Sequence, residues 1–296
     1  MRNAGYDYEE RIGTEADGRR LLDHLAARYA HSDAAAWRAR IAEGRVLLDG
    51  VPVAVETVVR RGQRLTWRRP PWDEPAAPAA FAVLFEDDDV LAVAKPAGLP
   101  TLPGGGFLEA TLLGRLRTAR PGSAPLHRLG RWTSGVVLCA RTPLARRELA
   151  RQWRAGGMRK RYRALAGGSP ADDAFAIDAP IGPVPYPPLG TLHASDPAGK
   201  PARSRVLVVR RRDGEFLCDV EIDSGRPHQI RIHLAVAGHP LVGDPLYGPG
   251  GRPAEGCRAL PGDPGYLLHA TELEFVHPRG GRRVVVRAGL PRALRD

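Results

Sequence analysis

A proline-rich segment divides this chain into two parts with different hydrophobic patterns. Residues 70–78 contain four prolines and show no apolar periodicity, which is typical of a stiff linker. A chain of 296 residues is long enough for about two domains. We therefore predict a small N-terminal domain over residues 1–70, a linker over 71–80 and a larger domain over 81–296, all within the α+β fold class.

The first part predicts two helices followed by a small hairpin. Apolar residues recur at helical spacing within Asp17–Ala30, and Ser32 is a suitable N-cap for a second helix over Asp33–Glu43. Asp49-Gly50 is a tight-turn pair between short apolar runs. These runs and the one that follows predict three short strands, at 45–48, 51–53 and 64–67.

The second part alternates short apolar runs with Gly, Pro and Asp turns, which indicates a multi-stranded sheet. Phe81–Phe85 and Val90–Ala94 predict a hairpin. Thr142 is a suitable cap for a helix that begins at Pro143 and ends near Ala155, before two glycines. Further strands or strand–helix junctions are predicted at 161–165, 204–210, 216–222 and 230–234.

Positive charge is concentrated in one sixth of the chain. The formal net charge is +11, from 44 Lys and Arg against 33 Asp and Glu. Residues 115–163 hold 14 basic side chains and one acid, Glu148. A GC-rich genome explains why arginines far outnumber lysines, but it does not explain this clustering. Because such a field attracts polyanions, nucleic acid is the predicted partner.

Cysteine usage and hydropathy point to a cytoplasmic protein. The three cysteines, Cys139, Cys218 and Cys257, are scattered and form no CxxC pair, which disfavours a disulfide framework and a structural zinc site. No apolar run approaches the length of a membrane span, and the acidic N-terminus is unlike a secretory signal. His228, His233 and His239 have no carboxylate or cysteine at ligand spacing, so no metal is expected.

Four segments of the second part, taken in order, resemble the RluA-type (HRLD-motif) RNA pseudouridine synthase family. They are followed by two short His-containing runs near the C-terminus, and the resemblance covers residues 81–291. The segments are Asp87–Pro100, His127–Gly135, Arg159–Leu165 and Gly225–Asp244, and the short runs are Leu268–Ala270 and Phe275–Pro278.

The helix–hairpin pattern of residues 12–69 resembles a second family, the alpha-L RNA-binding motif of a ribosomal small-subunit protein. Arg38, Arg40 and Arg45 lie within it. An unrelated small α+β domain is the alternative. Together the two resemblances imply a mixed or antiparallel pseudouridine synthase sheet that carries a small RNA-binding domain.

The RluA-type resemblance implies isomerisation of uridine to pseudouridine in structured ribosomal or transfer RNA, without a metal or cofactor. The uracil is detached from C1′, turned and rejoined through C5, so its nucleotide must leave the base stack. Arg128 matches the family's wedge, Tyr162 its stacking tyrosine, and Arg231 the arginine that orients a catalytic aspartate. Arg226 is the second candidate for that arginine. A monomer is the default.

The resemblance fails at the catalytic aspartate, whose position is Gly130. Glycine can be neither a nucleophile nor a base, and three readings follow. Another carboxylate reaches the site, with Asp223 as the first candidate; or the fold survives as a silent RNA-binding or RNA-folding factor; or the site serves a different reaction on a nucleoside or RNA. We also expect Arg231, without its usual partner, to be satisfied by water, another carboxylate or an RNA phosphate.

Three further residues are candidates for substrate binding. His127 is expected to make structural hydrogen bonds rather than to act as a base. Trp132 either stacks on a base or covers the gap at position 130. Lys95, before the Pro96-Ala97-Gly98 turn, is expected near the cleft in reach of a phosphate.

Overall fold

The structure is a computed structural model that describes residues 1–29 and 32–295. It divides into two compact units, Met1–Glu74 and Pro75–Asp296. Each unit combines helices with a largely antiparallel sheet, which confirms the predicted α+β class.

The first unit is a four-stranded antiparallel sheet with two helices. Its elements are β1 (Tyr6–Arg11), α1 (Leu21–Arg28), α2 (Ala34–Ala42), β2 (Val46–Leu48), β3 (Val51–Pro52) and β4 (Arg64–Arg69). A short 3-10 helix, Thr14–Ala16, follows β1. The strand order is β1-β4-β2-β3. A core that includes Leu21, Trp37 and Leu65 joins the helices to the sheet.

The hairpin around Asp49-Gly50 is confirmed, but two local details of the first unit differ from expectation. The Asp33 side chain, not that of Ser32, caps α2 by accepting a hydrogen bond from the Ala36 backbone N–H at 2.8 Å. Ser32 instead accepts a hydrogen bond from Arg40. The predicted end of the first helix, at Ala30, lies outside the described residues. Strand β1 was not predicted because its side chains are mostly exposed and carry no apolar alternation.

The predicted linker is shared between the two units. Asn3 donates to the Glu74 carboxylate at 3.0 Å and accepts from the Trp72 backbone N–H at 3.2 Å, so residues 72–74 pack on the first unit. Ala77 packs against a core of the second unit. Residues 72–74 and Ala77 therefore have packing partners, whereas most other residues of the predicted linker are exposed.

The second unit is built on a ten-stranded sheet. The elements of this unit are β5 (Ala82–Glu86), β6 (Val90–Lys95), α3 (Leu112–Ala119), β7 (Ala124–Pro125), β8 (Ser134–Ala140), α4 (Pro143–Arg154), β9 (Arg159–Gly167), β10 (Ala174–Asp178), β11 (Ile181–Tyr186), β12 (Gly190–Ser195), β13 (Arg203–Arg212), β14 (Glu215–Ile222), α5 (Gln229–Val236), β15 (Leu268–Val276) and β16 (Arg283–Arg287). Strands β11 and β12 form a separate two-stranded hairpin. A 3-10 helix, Arg292–Leu294, ends the described chain.

The sheet order places the motif segments side by side. It runs β10-β13-β14-β9-β15-β8-β6-β5, with β16 paired to β15 and β7 to β8. All these pairs are antiparallel except β15 with β8. Strands β9, β15 and β8 are adjacent in the sheet, although β8 ends at Ala140 and β15 begins only at Leu268. The loop before β8, the residues before β15 and strand β9 therefore meet at one place.

Two helices of the second unit test the local signals in its sequence. Helix α4 is confirmed: Thr142 accepts from the Ala145 N–H, and Pro143 opens the first turn. Helix α5 replaces the strand or junction expected at 230–234. Its residues from Gln229 to Ala235 are all buried. Ile230, Ile232 and Leu234 alternate with polar residues, which is the period typical of a strand. The helix can bury Arg231 and His233 because Asp244 and Ser204 satisfy their polar groups.

Candidate functional site

One cleft in the second unit gathers most of the predicted site residues. Its cavity volume is about 120 Å³. Its walls come from the loop before β8, strand β9, the start of α5 and the residues that lead into β15. The lining residues are His127, Arg128, Leu129, Gly130, Thr133, Trp153, Lys160, Tyr162, Ile222, Gly225, Arg226, His228, Gln229, Ile230, Arg231, Tyr266 and Leu268.

The three residues expected to be catalytic share this cleft. Arg128 is exposed in the loop before β8, and Tyr162 is a half-buried residue of β9. Burial raises the pKa of the Tyr162 phenol to about 12, so it is neutral at physiological pH and suited to stacking on a base. Arg231 is buried on α5. The second-choice arginine, Arg226, also lines the cleft but is half-buried, and its Nε donates to the Pro201 carbonyl at 3.3 Å.

His127 lines the cleft as a neutral ring with a structural bond. Its Nε2 accepts a hydrogen bond from the Leu138 backbone N–H at 3.0 Å, and its ring stacks on Trp153 with centroids 4.4 Å apart. Burial, together with the nearby charge of Lys160, lowers the pKa of His127 to about 3. His127 is therefore unable to bind a phosphate as a cation near neutral pH.

Arg231 has a carboxylate partner that is not at position 130. Its Nε and Nη2 each donate to one oxygen of Asp244, both at 2.7 Å, and Nη1 reaches the Pro261 carbonyl at 3.3 Å. The two side chains are only 3% and 1% exposed. Of the three partners expected for Arg231, the structure selects another carboxylate. A buried bidentate pair of this kind fixes the guanidinium firmly.

The space next to Gly130 is occupied by a tyrosine hydroxyl. A Cβ atom at position 130 would lie 3.0 Å from Tyr266 Oη and 3.4 Å from Thr133 Oγ1. The two hydroxyls are 3.4 Å apart, and the Tyr266 ring lies under the Arg231 guanidinium, 4.2 Å from its carbon. Sequence reasoning missed Tyr266, because no local signal links it to a glycine 136 positions earlier.

An ion pair holds Asp223 outside the lining of the cleft. Asp223 is absent from the residues that line the cleft, and both of its oxygens pair with Arg205, at 2.9 and 3.0 Å. Its side chain is 48% exposed. Although Asp223 lies close in sequence to Gly225, the adjacent strand β13 provides a cation that holds it on the exposed side.

Lys95 and Trp132 also lie outside the lining of the cleft. The ammonium of Lys95 is 1% exposed and donates to the carbonyls of Pro96, Leu99 and Arg131. Its three donors are thus used, which contradicts the expected phosphate contact. Trp132 donates from Nε1 to the Gly262 carbonyl at 2.8 Å, so it secures the segment before Tyr266. The atoms nearest to a Cβ at position 130 belong to Tyr266 and Thr133, so Trp132 does not fill that space; stacking of its ring on a base stays a prediction.

The cleft is electropositive. Four cationic side chains line it, and among its described lining residues there is neither an aspartate nor a glutamate. Lys160, which lies in the motif segment Arg159–Leu165, is one of these cations. Burial lowers the pKa of Lys160, and the charge of Asp223 opposes this shift. A site of this composition attracts an anionic backbone.

Two negative findings concern residues 1–29 and 32–295. Within these ranges no group of three or more His, Cys, Asp and Glu side chains could hold a metal ion. The helices found there are all too short or too polar to cross a membrane.

Comparison with known proteins gives a consistent picture. Residues 89–236 match the family model described as RNA pseudouridylate synthase. An uncharacterized RNA pseudouridine synthase of Synechocystis is 44% identical over 276 residues, 93% of this chain and 95% of that protein. RNA pseudouridine synthase 5 of Arabidopsis thaliana is 40% identical, over 99% of this chain and 94% of the relative.

More distant matches extend the same picture. Ribosomal large subunit pseudouridine synthase D of Nitrosomonas europaea is 37% identical over 71% of this chain and 62% of its own. The solved structure of Human RNA Pseudouridylate Synthase Domain Containing 1 aligns with a TM-score of 0.59 at 24% identity. It covers 74% of this chain and 87% of the human one, which supports the fold.

Proposed function

Because this chain belongs to the RNA pseudouridylate synthase family, we propose that it converts uridine to pseudouridine in structured RNA, with the cleft as the site of the extruded nucleotide. The observation that carries the proposal is the meeting of Arg128, Tyr162 and Arg231 in one cleft, from three segments far apart in sequence. The same three residue types are those that the family resemblance required.

The proposed roles follow from position. Arg128, exposed at the rim, takes the place of the base that leaves the stack. Tyr162 supplies a neutral aromatic face for the uracil. Arg231 is held by Asp244 and by the Pro261 carbonyl, so it serves as a fixed positive wall. The first unit, with Arg38, Arg40 and Arg45, is proposed as an accessory RNA-binding domain of the alpha-L type.

A second candidate function has a specific observation in its favour. Gly130 leaves the site without its expected acid, and Asp223 faces elsewhere. A non-catalytic RNA-binding or RNA-folding factor on the same fold would fit that composition. The two functions differ in turnover but not in RNA binding.

Tritium release separates them. RNA labelled at uridine C5 is taken from cells that lack this protein and incubated with the purified full chain. Release of tritium to water, with pseudouridine found in the digested RNA, supports the isomerase; RNA binding without release supports the silent factor.

A matched pair of arginine variants tests the site itself. Arg128→Ala should abolish release. Arg117→Ala, which removes an exposed arginine of the same basic stretch outside the cleft lining, should retain it. Equal loss in both would contradict the assignment of the cleft.

A further inference from the structure

The hydroxyl of Tyr266 lies where the family places its acid. Its oxygen is 3.0 Å from the position that a Cβ of residue 130 would take, which is less than ordinary van der Waals contact. A side chain at 130 would therefore require Tyr266 to move by a few tenths of an ångström. The two positions are coupled in space, because the Tyr266 hydroxyl occupies the room that Gly130 leaves by having no side chain.

The surroundings hold that hydroxyl in place. Gly243 and Gly265 touch through their backbones: a Cβ on Gly265 would lie only 2.1 Å from the Gly243 carbonyl oxygen. Gly265 also has a φ of +138°, which only glycine adopts readily. This contact brings the residue before Tyr266 against the residue before Asp244. Tyr266 itself is 4% exposed.

Two neighbours contact the Tyr266 side chain. The Arg231 guanidinium lies over the ring at 4.2 Å, and the Thr133 hydroxyl is 3.4 Å from Oη. No carboxylate is found among the described lining residues of the cleft. Tyr266 is thus the oxygen of the lining that is best placed to exchange a proton at the position of the missing acid.

We infer that Tyr266 is a catalytic residue, whose oxygen exchanges a proton with the ribose of the bound uridine; this rests on the proposed function. Tyr266 Oη passes its own proton to water in the same step. It takes the proton from C2′; the C2′–H electron pair forms a second bond between C2′ and C1′, and uracil leaves with the pair of the C1′–N1 bond.

After the uracil turns, a new bond completes the isomerisation. C5 bonds to C1′, the proton returns from Tyr266 to C2′, and water gives a proton back to Tyr266 Oη. C5 then loses a proton to water, and N1 takes one up. No oxidant, reductant or further reactant is required.

A variant and its control test this inference in the tritium-release assay. Tyr266→Phe keeps the ring under Arg231 and removes only the oxygen, so kcat should fall by at least about 100-fold, the usual lower contribution of proton transfer. KM, RNA affinity and thermal stability should change little. Tyr186→Phe is the control, since it removes a buried hydroxyl outside the cleft, bonded to the Ala259 carbonyl.

A double variant examines the shared space. Gly130→Asp alone should not raise turnover, because the new side chain and Tyr266 Oη compete for the same space. Gly130→Asp with Tyr266→Phe should regain a large part of the turnover that Tyr266→Phe loses.

The outcomes distinguish the inference from the proposed function. Wild-type kcat in Tyr266→Phe overturns the inference alone, and so does a loss that appears equally in RNA affinity and stability. If the wild-type protein releases no tritium from RNA that it binds, the proposed isomerase activity fails and the inference fails with it.

Discussion

The guanidinium of Arg231 and the carboxylate of Asp244 form a two-pronged ion pair, with both hydrogen bonds at 2.7 Å and both side chains nearly sealed from solvent. Asp244 also accepts from the backbone N–H groups of Leu246 and Tyr247. The pair therefore joins α5 to the loop that follows it and fixes one wall of the cleft.

Removing one partner of this pair should be costly. Asp244→Asn leaves the Arg231 charge buried without compensation, so the free energy of unfolding should fall by about 3–5 kcal/mol. Chemical denaturation measures the loss. Asp223→Asn, which breaks the half-exposed pair with Arg205, is the control and should cost at most about 1 kcal/mol. Similar losses in both variants would contradict the structural role given to Asp244.

Lys95 should contribute to stability and not to RNA affinity. Lys95→Met leaves the carbonyls of Pro96, Leu99 and Arg131 without their shared donor, and we expect a loss of at least about 2 kcal/mol in the free energy of unfolding. Lys200→Met, at an exposed site, should stay within about 0.5 kcal/mol. The idea fails if Lys95→Met weakens RNA binding at full stability.

Acid should destabilise the fold through His127. Its folded-state pKa is lowered from 6.5 to about 3. Between these values the unfolded chain binds a proton at this residue and the folded chain does not, so stability falls as the pH drops from 6.5 towards 3. Denaturation at a series of pH values should show a shallower slope in His127→Asn.

The slope should not vanish in that variant. Burial, followed by the charges of Arg231 and Arg128, lowers the pKa of His228 to about 3 as well, and this residue remains. An unchanged slope in His127→Asn would show that the ring is already solvated and protonated in the folded protein.

RNA affinity should fall steeply with salt. Binding that neutralises phosphates releases counterions, so the logarithm of the association constant should fall linearly with the logarithm of salt concentration. Arg128→Ala should reduce the magnitude of that slope by about 1 if the residue contacts a phosphate. Affinity measured across a salt series decides this, and binding that ignores ionic strength would exclude the basic stretch as the RNA contact.

Local structure was predictable where the signals were local. The ends of α4 were predicted within a few residues from Thr142, Pro143 and the two glycines that follow it, and the structure has the helix between those ends. The cap of α2 shows the limit of such signals. Ser32 and Asp33 are both good caps, and only the backbone geometry decides for Asp33.

The site could be predicted only in part. Motif residues were brought together as expected because they lie on adjacent strands and loops. Tyr266 and the true position of Asp223 depend on tertiary contacts: the first on a backbone contact between two glycines, the second on an arginine of the neighbouring strand. No periodicity or spacing in the sequence encodes either.

The contact between Gly243 and Gly265 has a consequence for divergence among relatives. A larger residue at either place would push the chain apart and carry the phenol away from position 130. While the two glycines hold the segment, the phenol and a side chain at 130 compete for the same space. Relatives that have an acid at the position equivalent to 130 should therefore lack a tyrosine at the position equivalent to 266, and these two positions should change together through evolution.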